Sequence, residues 1–253
     1  MSGSKTTSTS GEESRIFTLI KGGPGYPASV TDALKGKAPE VLYCIGNLSL
    51  LENAGIGFCG SRKASAKGLE TARDCARQIG EMGINVVSGN AAGVDFEAHK
   101  AALDGGGSTI LVLPEGINHF RVKRAFDSVW DWQKVLVVSQ FDPDAAWKTF
   151  RAMERNQLII ALSKAMIVIE AGETGGTLNA GMATLKIGRP LFVALYENML
   201  DQAPGNDRLL QMGGQRLNKS RSTERAKLTG IFAAIEKLDQ LTSTTEPRQF
   251  GLL

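Results

Sequence analysis

Residues 56–95 read IGFCGSRKASAKGLETARDCARQIGEMGINVVSGNAAGVD, and the way this stretch divides decides the fold. Residues 56–60 are a short continuous apolar run without in-out alternation, as a strand buried on both sheet faces should be. Leu69, Ala72, Ala76 and Ile79 then fall on one helix face, and Gly83 stands where a helix terminator is wanted. A second apolar run follows at 84–89. Strand, helix and strand in this order make a parallel pair joined by a crossover helix.

The unit extends outward. Further apolar runs lie at 109–113, 135–139, 165–170 and 190–195, with helical patterns between them. The expected architecture is α/β: a Rossmann-like, doubly wound, mostly parallel sheet with helices on both faces. Upstream, VLYCIG (41–46) is expected as an edge strand, and KGGPGYPASV (21–30) as a loop because of its glycine and proline. Downstream, a polar stretch from about Pro204 leads to an amphipathic helix with Leu228, Ile231, Ile235 and Leu238 on one side. The expected division is a disordered tail (1–14), an N-terminal segment packing on the main domain (15–54), the Rossmann-like domain (55–242) and a C-terminal tail (243–253).

Composition sets bounds on function. The chain has 253 residues and 29 basic against 26 acidic side chains, so a basic surface must be sought locally rather than in the net charge of +3. Aromatics at 6% are too sparse for a broad stacking platform. Cys44, Cys59 and Cys75 are odd in number and widely spaced, which fits a reducing, cytoplasmic setting and offers neither a disulfide framework nor a zinc site. No apolar run is long enough for a membrane span, and residues 1–14 lack a signal peptide's apolar core.

Ligands of an open parallel sheet bind beyond the carboxyl ends of its strands, and four loops there carry chemistry. Gly60, Ser61, Arg62 and Lys63 follow the first strand of the unit and precede a helix, where backbone amides favour an anion; the plain alternative is a turn with solvated basic residues. Ser88 and Gly89 open a small-residue loop that allows close backbone approach. The Asp95 and His99 beyond it suggest acid–base chemistry, but with no third partner a structural role is preferred. Arg155 and Asn156 can share a phosphate or base edge, against the commoner fate of an exposed helix face. Gly175, Gly176 and Thr177 make a second anion-binding turn after 165–170.

Taken together, these blocks resemble the DNA-processing protein A (DprA/Smf) family over about residues 20–215. The likeness runs through GGPGYPASV, VLYCIGNLSLL, GFCGSRKAS, VVSGNAAGVDFEAHKAAL, GGSTILVLPEG, RNQLIIALSKAMIVIEA, TGGTLNAGMA and APGNDRLLQMGG. The resemblance implies binding of single-stranded DNA, help in loading the RecA recombinase, self-association as a homodimer, no cofactor and no catalytic activity. It places DNA contacts at Gly60, Ser61, Arg62, Lys63, Ser88, Gly89, Arg155, Asn156, Gly175, Gly176 and Thr177. The chain departs from the family at Ala92 and Gln157, where arginine is usual, and at Gln140, where glutamate is usual. It is expected to lack both the C-terminal winged-helix domain and the extended N-terminal helical domain of many members.

Two other functions compete. Related LOG-type nucleotide phosphoribohydrolases share the sheet and a glycine–threonine loop, but carry a glutamate where this chain has Ala180; Glu170 or Glu173 could in principle substitute, though nothing in the spacing demands it. A small-nucleotide sensor would use the same pocket. The basic cluster Arg208, Arg216, Lys219, Arg221, Arg225, Lys227 and Lys237, set against Asp207, Glu224 and Glu236, favours a polyanion instead.

Overall fold

A computed structural model describes residues 15–196, 203–220 and 222–244, the side chains of 241–244 excepted. The strands are β1 (Phe17–Ile20), β2 (Val41–Gly46), β3 (Gly55–Gly60), β4 (Val86–Gly89), β5 (Thr109–Val112), β6 (Val135–Ser139), β7 (Ser163–Ile169), β8 (Leu191–Ala194) and β9 (Gln215–Leu217). The helices are α1 (Ala28–Leu34), α2 (Ala66–Glu81), α3 (Val94–Asp104), α4 (Thr149–Ala161), α5 (Gly176–Ile187), α6 (Pro204–Gln211) and α7 (Thr229–Thr244). All strands join one sheet in the order β1-β2-β6-β5-β4-β3-β7-β8-β9. Because β1 opposes β2 and β2 opposes β6, only β2 runs against the rest.

The expected α/β architecture is present. From β3 the chain steps outward through β4, β5 and β6, then returns to lay β7 against the other side of β3. Strand order therefore reverses between β3 and β7, which is where a crevice opens in such sheets. One apolar cluster joins α2, α3 and α7 to β3 and β7 through Phe58, Ala72, Ala76, Ile79, Ala98, Ile167 and Ile231. The opposite face carries α4 and α5, packed through Leu158, Ile160 and Leu178. These faces explain why the central strands read as unbroken apolar runs.

Several expectations change at the edges. VLYCIG is not an edge strand: β1 covers β2, so β2 lies between β1 and β6. KGGPGYPASV is a turn only to Tyr26, and its last residues start α1. Neither β1 nor β9 was expected. β1 buries only Leu19, and β9 has three residues with two exposed, so neither shows an apolar run. Residues 15–54 supply β1, α1 and β2 to the common sheet. α7 runs to Thr244, past the expected boundary at 242, and the expected tail 1–14 lies outside the described residues.

The end of β3 is tightly enclosed. A Cβ on Gly60 would meet the Ile169 carbonyl oxygen at 2.5 Å and collide with the Val94 side chain. A backbone oxygen cannot swing away as a flexible side chain does. Gly60→Ala is expected to destabilise the fold by about 1–3 kcal/mol, the usual cost of overpacking. Urea unfolding checks this; an unchanged midpoint would show that Gly60 is not held by packing.

Candidate functional site

A crevice of about 650 Å³ opens beyond the carboxyl ends of β3 and β7. The loop after β3 contributes Gly60, Ser61 and Arg62, the helix α4 contributes Arg155 and Asn156, and the turn into α5 contributes Gly175, Gly176 and Thr177. Eight of the eleven residues expected to contact DNA therefore line one space. Lys63, Ser88 and Gly89 do not line it.

The two helix starts at this crevice differ. α2 begins at Ala66, later than the turn Gly60–Lys63, and its N-cap Ser65 accepts a hydrogen bond from Gly68 N at 3.0 Å. Glu170 completes that cap, accepting from Ser65 N at 2.8 Å and from the hydroxyls of Ser65 and Tyr196. The positive end of α2 is thus matched by a carboxylate of the protein itself. Glu170 lines the crevice while accepting these hydrogen bonds, and Ala180, where a glutamate stands in LOG-type enzymes, is buried inside α5.

α5 starts differently. Its N-cap is Gly175, at φ 103°, and no side chain caps it. A Cβ on Gly176 would meet nothing within 4 Å. Packing therefore does not require glycine there, whereas a ligand approaching the backbone would. Uncapped first-turn amides are ready anion donors. Ser61 Oγ accepts from Lys63 N at 3.1 Å and keeps its own proton free to donate.

Arg155 is buried, contrary to the exposed helix face that was the alternative reading. Its Nη1 donates to Val112 O at 3.2 Å and lies 4.0 Å from Asp95 Oδ2, while Nε has no partner. Burial lowers the pKa of Arg155, and Asp95 opposes that shift; burial raises the pKa of Asp95, and Arg155 opposes it. Gly89 is explained by this arginine, because a Cβ there would overlap the guanidinium. Ser88 is buried and donates to Phe58 O at 2.8 Å. The small residues of this loop serve internal packing, so the expected contacts at Ser88 and Gly89 are not at the crevice wall.

Asp95 and His99 have separate partners, as the structural reading anticipated. Asp95 accepts from Ala91 N at 3.4 Å. The His99 ring has Nε2 2.8 Å from Gly89 O and Nδ1 2.6 Å from Thr109 Oγ1, whose hydroxyl also lies 2.8 Å from Val86 O.

Sequence reasoning missed Trp147. It lines the crevice and is 47% exposed, next to Phe150 at 58%, with Arg151 over the Phe150 ring at 5.7 Å. An exposed tryptophan in a polar stretch was the available signal. The C-terminal basic cluster is partly neutralised: Lys219 pairs with Glu70 at 3.2 Å, and Arg225 with Asp74 at 3.0 Å. Arg221 lies outside the described residues.

A family model for DNA recombination-mediator protein A matches residues 17–226. The chain belongs to that family. It is 33% identical over 181 residues to DNA processing protein DprA of Streptococcus pneumoniae, covering 70% of this chain and 63% of that protein. Protein Smf of Escherichia coli is 33% identical over 157 residues, covering 61% of this chain and 42% of that one. The chain thus spans about two-fifths to two-thirds of these relatives' lengths. An X-ray structure of the S. pneumoniae protein superposes with a TM-score of 0.71 at 28% identity, covering 81% of this chain and 72% of that one. A structure of DNA processing protein A from Helicobacter pylori, described by its single-stranded DNA binding mode, gives 0.70 at 26% identity, with coverage of 89% and 96%.

Burial lowers the His99 pKa to about 3, from an ordinary 6.5. The unfolded chain therefore takes up this proton first, so stability is complete above about pH 6.5 and falls as pH drops towards 3. Between about pH 6.5 and 5, where most carboxylates stay ionised, wild type should lose stability at up to about 1.4 kcal/mol per pH unit. His99→Gln should lose much less over that window. Equal slopes in urea unfolding would contradict the assignment.

Proposed function

We propose that the crevice holds the phosphates of single-stranded DNA, and that the chain acts in DNA processing as a recombination mediator. The observation that carries this reading is the meeting at one crevice of an uncapped α5 start and two arginines, Arg62 and the buried Arg155. Arg62 is exposed at the same crevice and adds a second guanidinium, able to grip phosphate through parallel hydrogen bonds. Trp147 offers one aromatic face to a base, worth about 1–3 kcal/mol where such stacking occurs. Family membership and likeness to the H. pylori structure support the same ligand. Action in the cytoplasm, partnership with RecA and self-association as a dimer are proposals resting on the family alone.

A small-nucleotide sensor is the second reading, favoured by the crevice volume of about 650 Å³, which falls in the range of small-molecule sites. Among the described residues no helix is long and apolar enough to cross a membrane.

Arg62→Ala should weaken single-strand binding by about 1.5–3 kcal/mol, as loss of a charge-assisted contact does. Arg62→Lys should recover only part of that loss, because an ammonium lacks the fork geometry. Oligonucleotide affinity measured beside a thermal melt checks both variants. A lowered melting temperature with intact affinity would make Arg62 structural. Mononucleotide binding as tight as that of an oligonucleotide would favour the sensor.

A further inference from the structure

We infer that a groove at the amino ends of β3, β4 and β5 is the docking site of this chain's own C-terminal segment 245–253, with Phe250 and Leu252 as its apolar anchors. The groove has a volume of about 560 Å³. Gly55 and Ile56 open β3 there, Asn85 and Ser108 precede β4 and β5, Lys164 lies at the start of β7, and α7 closes one side with Phe232 and Ile235. It therefore sits at the sheet edge opposite the crevice, and the inference does not depend on the phosphate reading.

The groove offers apolar surface. Leu50, Ala54, Ile56, Ile84, Phe232 and Ile235 line it, and Ile84, Phe232 and Ile235 are only partly buried against the cluster below α2 and α7. Its polar side chains already have partners. Asn85 Nδ2 donates to Leu50 O at 2.9 Å and Asn53 O at 3.3 Å, Ser108 Oγ donates to Asn85 Oδ1, and Lys164 Nζ pairs with Asp239 at 2.7 Å. An occupant gains here by removing apolar side chains from water.

The chain itself carries an occupant of that kind. α7 runs to Thr244, and TEPRQFGLL (245–253) follows it. Pro247 cannot continue a helix. Phe250, Leu252 and Leu253 put three large apolar side chains into the last four positions. From Ile235 to Thr244 a helix advances about 13 Å, and the six residues 245–250 reach about 20 Å when extended. Phe250 can therefore return to the groove. Charge agrees: Glu52 is exposed at the rim, and among the described residues no cation lies within 4.0 Å of it. Arg248 is the one cation of the segment and stands two residues before Phe250. Tethering decides between occupants, because a short linker holds the segment at an effective concentration of about millimolar, above that of a second copy in dilute solution.

The test is methyl NMR of the full chain with labelled isoleucines, on wild type and Phe250→Ser/Leu252→Ser. In wild type, nuclear Overhauser contacts should join the Phe250 ring to the Ile84 and Ile235 methyls and persist on dilution. In the double variant those two signals should shift while Ile117 and Ile160 stay in place. A synthetic peptide of residues 245–253 should then move the Ile84 and Ile235 signals of the variant at a concentration at least about tenfold lower than in wild type, whose own segment competes. Phe250→Leu serves as a second variant: it keeps an apolar anchor but removes the ring, so the same two signals should shift with the urea midpoint unchanged. Ile84 and Ile235 signals identical in wild type and both variants would overturn the inference. A peptide that moves them equally in wild type and variant, or in neither, would overturn it too. Contacts found only between labelled and unlabelled copies in a mixed sample would give the groove to a second molecule instead, and the inference would fail.

Discussion

Glu170 leaves β7 in a left-handed backbone conformation, φ 54°, and its carboxylate accepts hydrogen bonds from Ser65 and Tyr196. A non-glycine residue held this way costs about 1–3 kcal/mol, which charge-assisted hydrogen bonds from several donors can offset. The contact joins three places that the fold must bring together: the end of β7, the start of α2 and the chain just beyond β8. It also decides which helix start is open to an external anion. α2 already holds a carboxylate against its positive end, and α5 does not. The two glycine-rich turns look alike in sequence, yet one is closed by the protein and the other is open.

The same division shows what was legible in the sequence. Strands β3 to β8 were readable because each is buried on both faces and forms an unbroken apolar run. The edge strands β1 and β9 were not, since each buries a single side chain. Small residues were ambiguous in a physical sense. Gly60, Gly89 and Gly176 all suggested close approach to a ligand, but what approaches Gly60 is Ile169 and Val94, and what approaches Gly89 is Arg155. Only Gly176 has open space above it. The burial of Arg155 was not readable from its helix, because Val112 and Asp95, which receive it, lie far away in the chain.

Family membership and the departures from it fit this division. Ala92 is exposed, so the arginine usual at that position would have faced solvent. Gln140 donates to Glu154 at 3.0 Å, a contact along the surface rather than at the crevice. The elements that the phosphate reading needs, Arg62, Arg155 and the open start of α5, lie at the topological switch point, where the sheet itself creates the crevice. The crevice itself follows from strand order and not from net charge, so a total of +3 is no obstacle to the phosphate reading.

The most direct measurement is amide NMR of the uniformly labelled protein during titration with a short oligothymidylate. The account predicts that the largest shifts fall on the backbone amides of Gly175, Gly176 and Thr177, with the Arg155 Nε–H signal moving alongside them. The amides of Ser65 and Gly68 should stay in place, because Glu170 and Ser65 already occupy them. Shifts confined to the basic segment 208–237, with the α5 start unmoved, would contradict it.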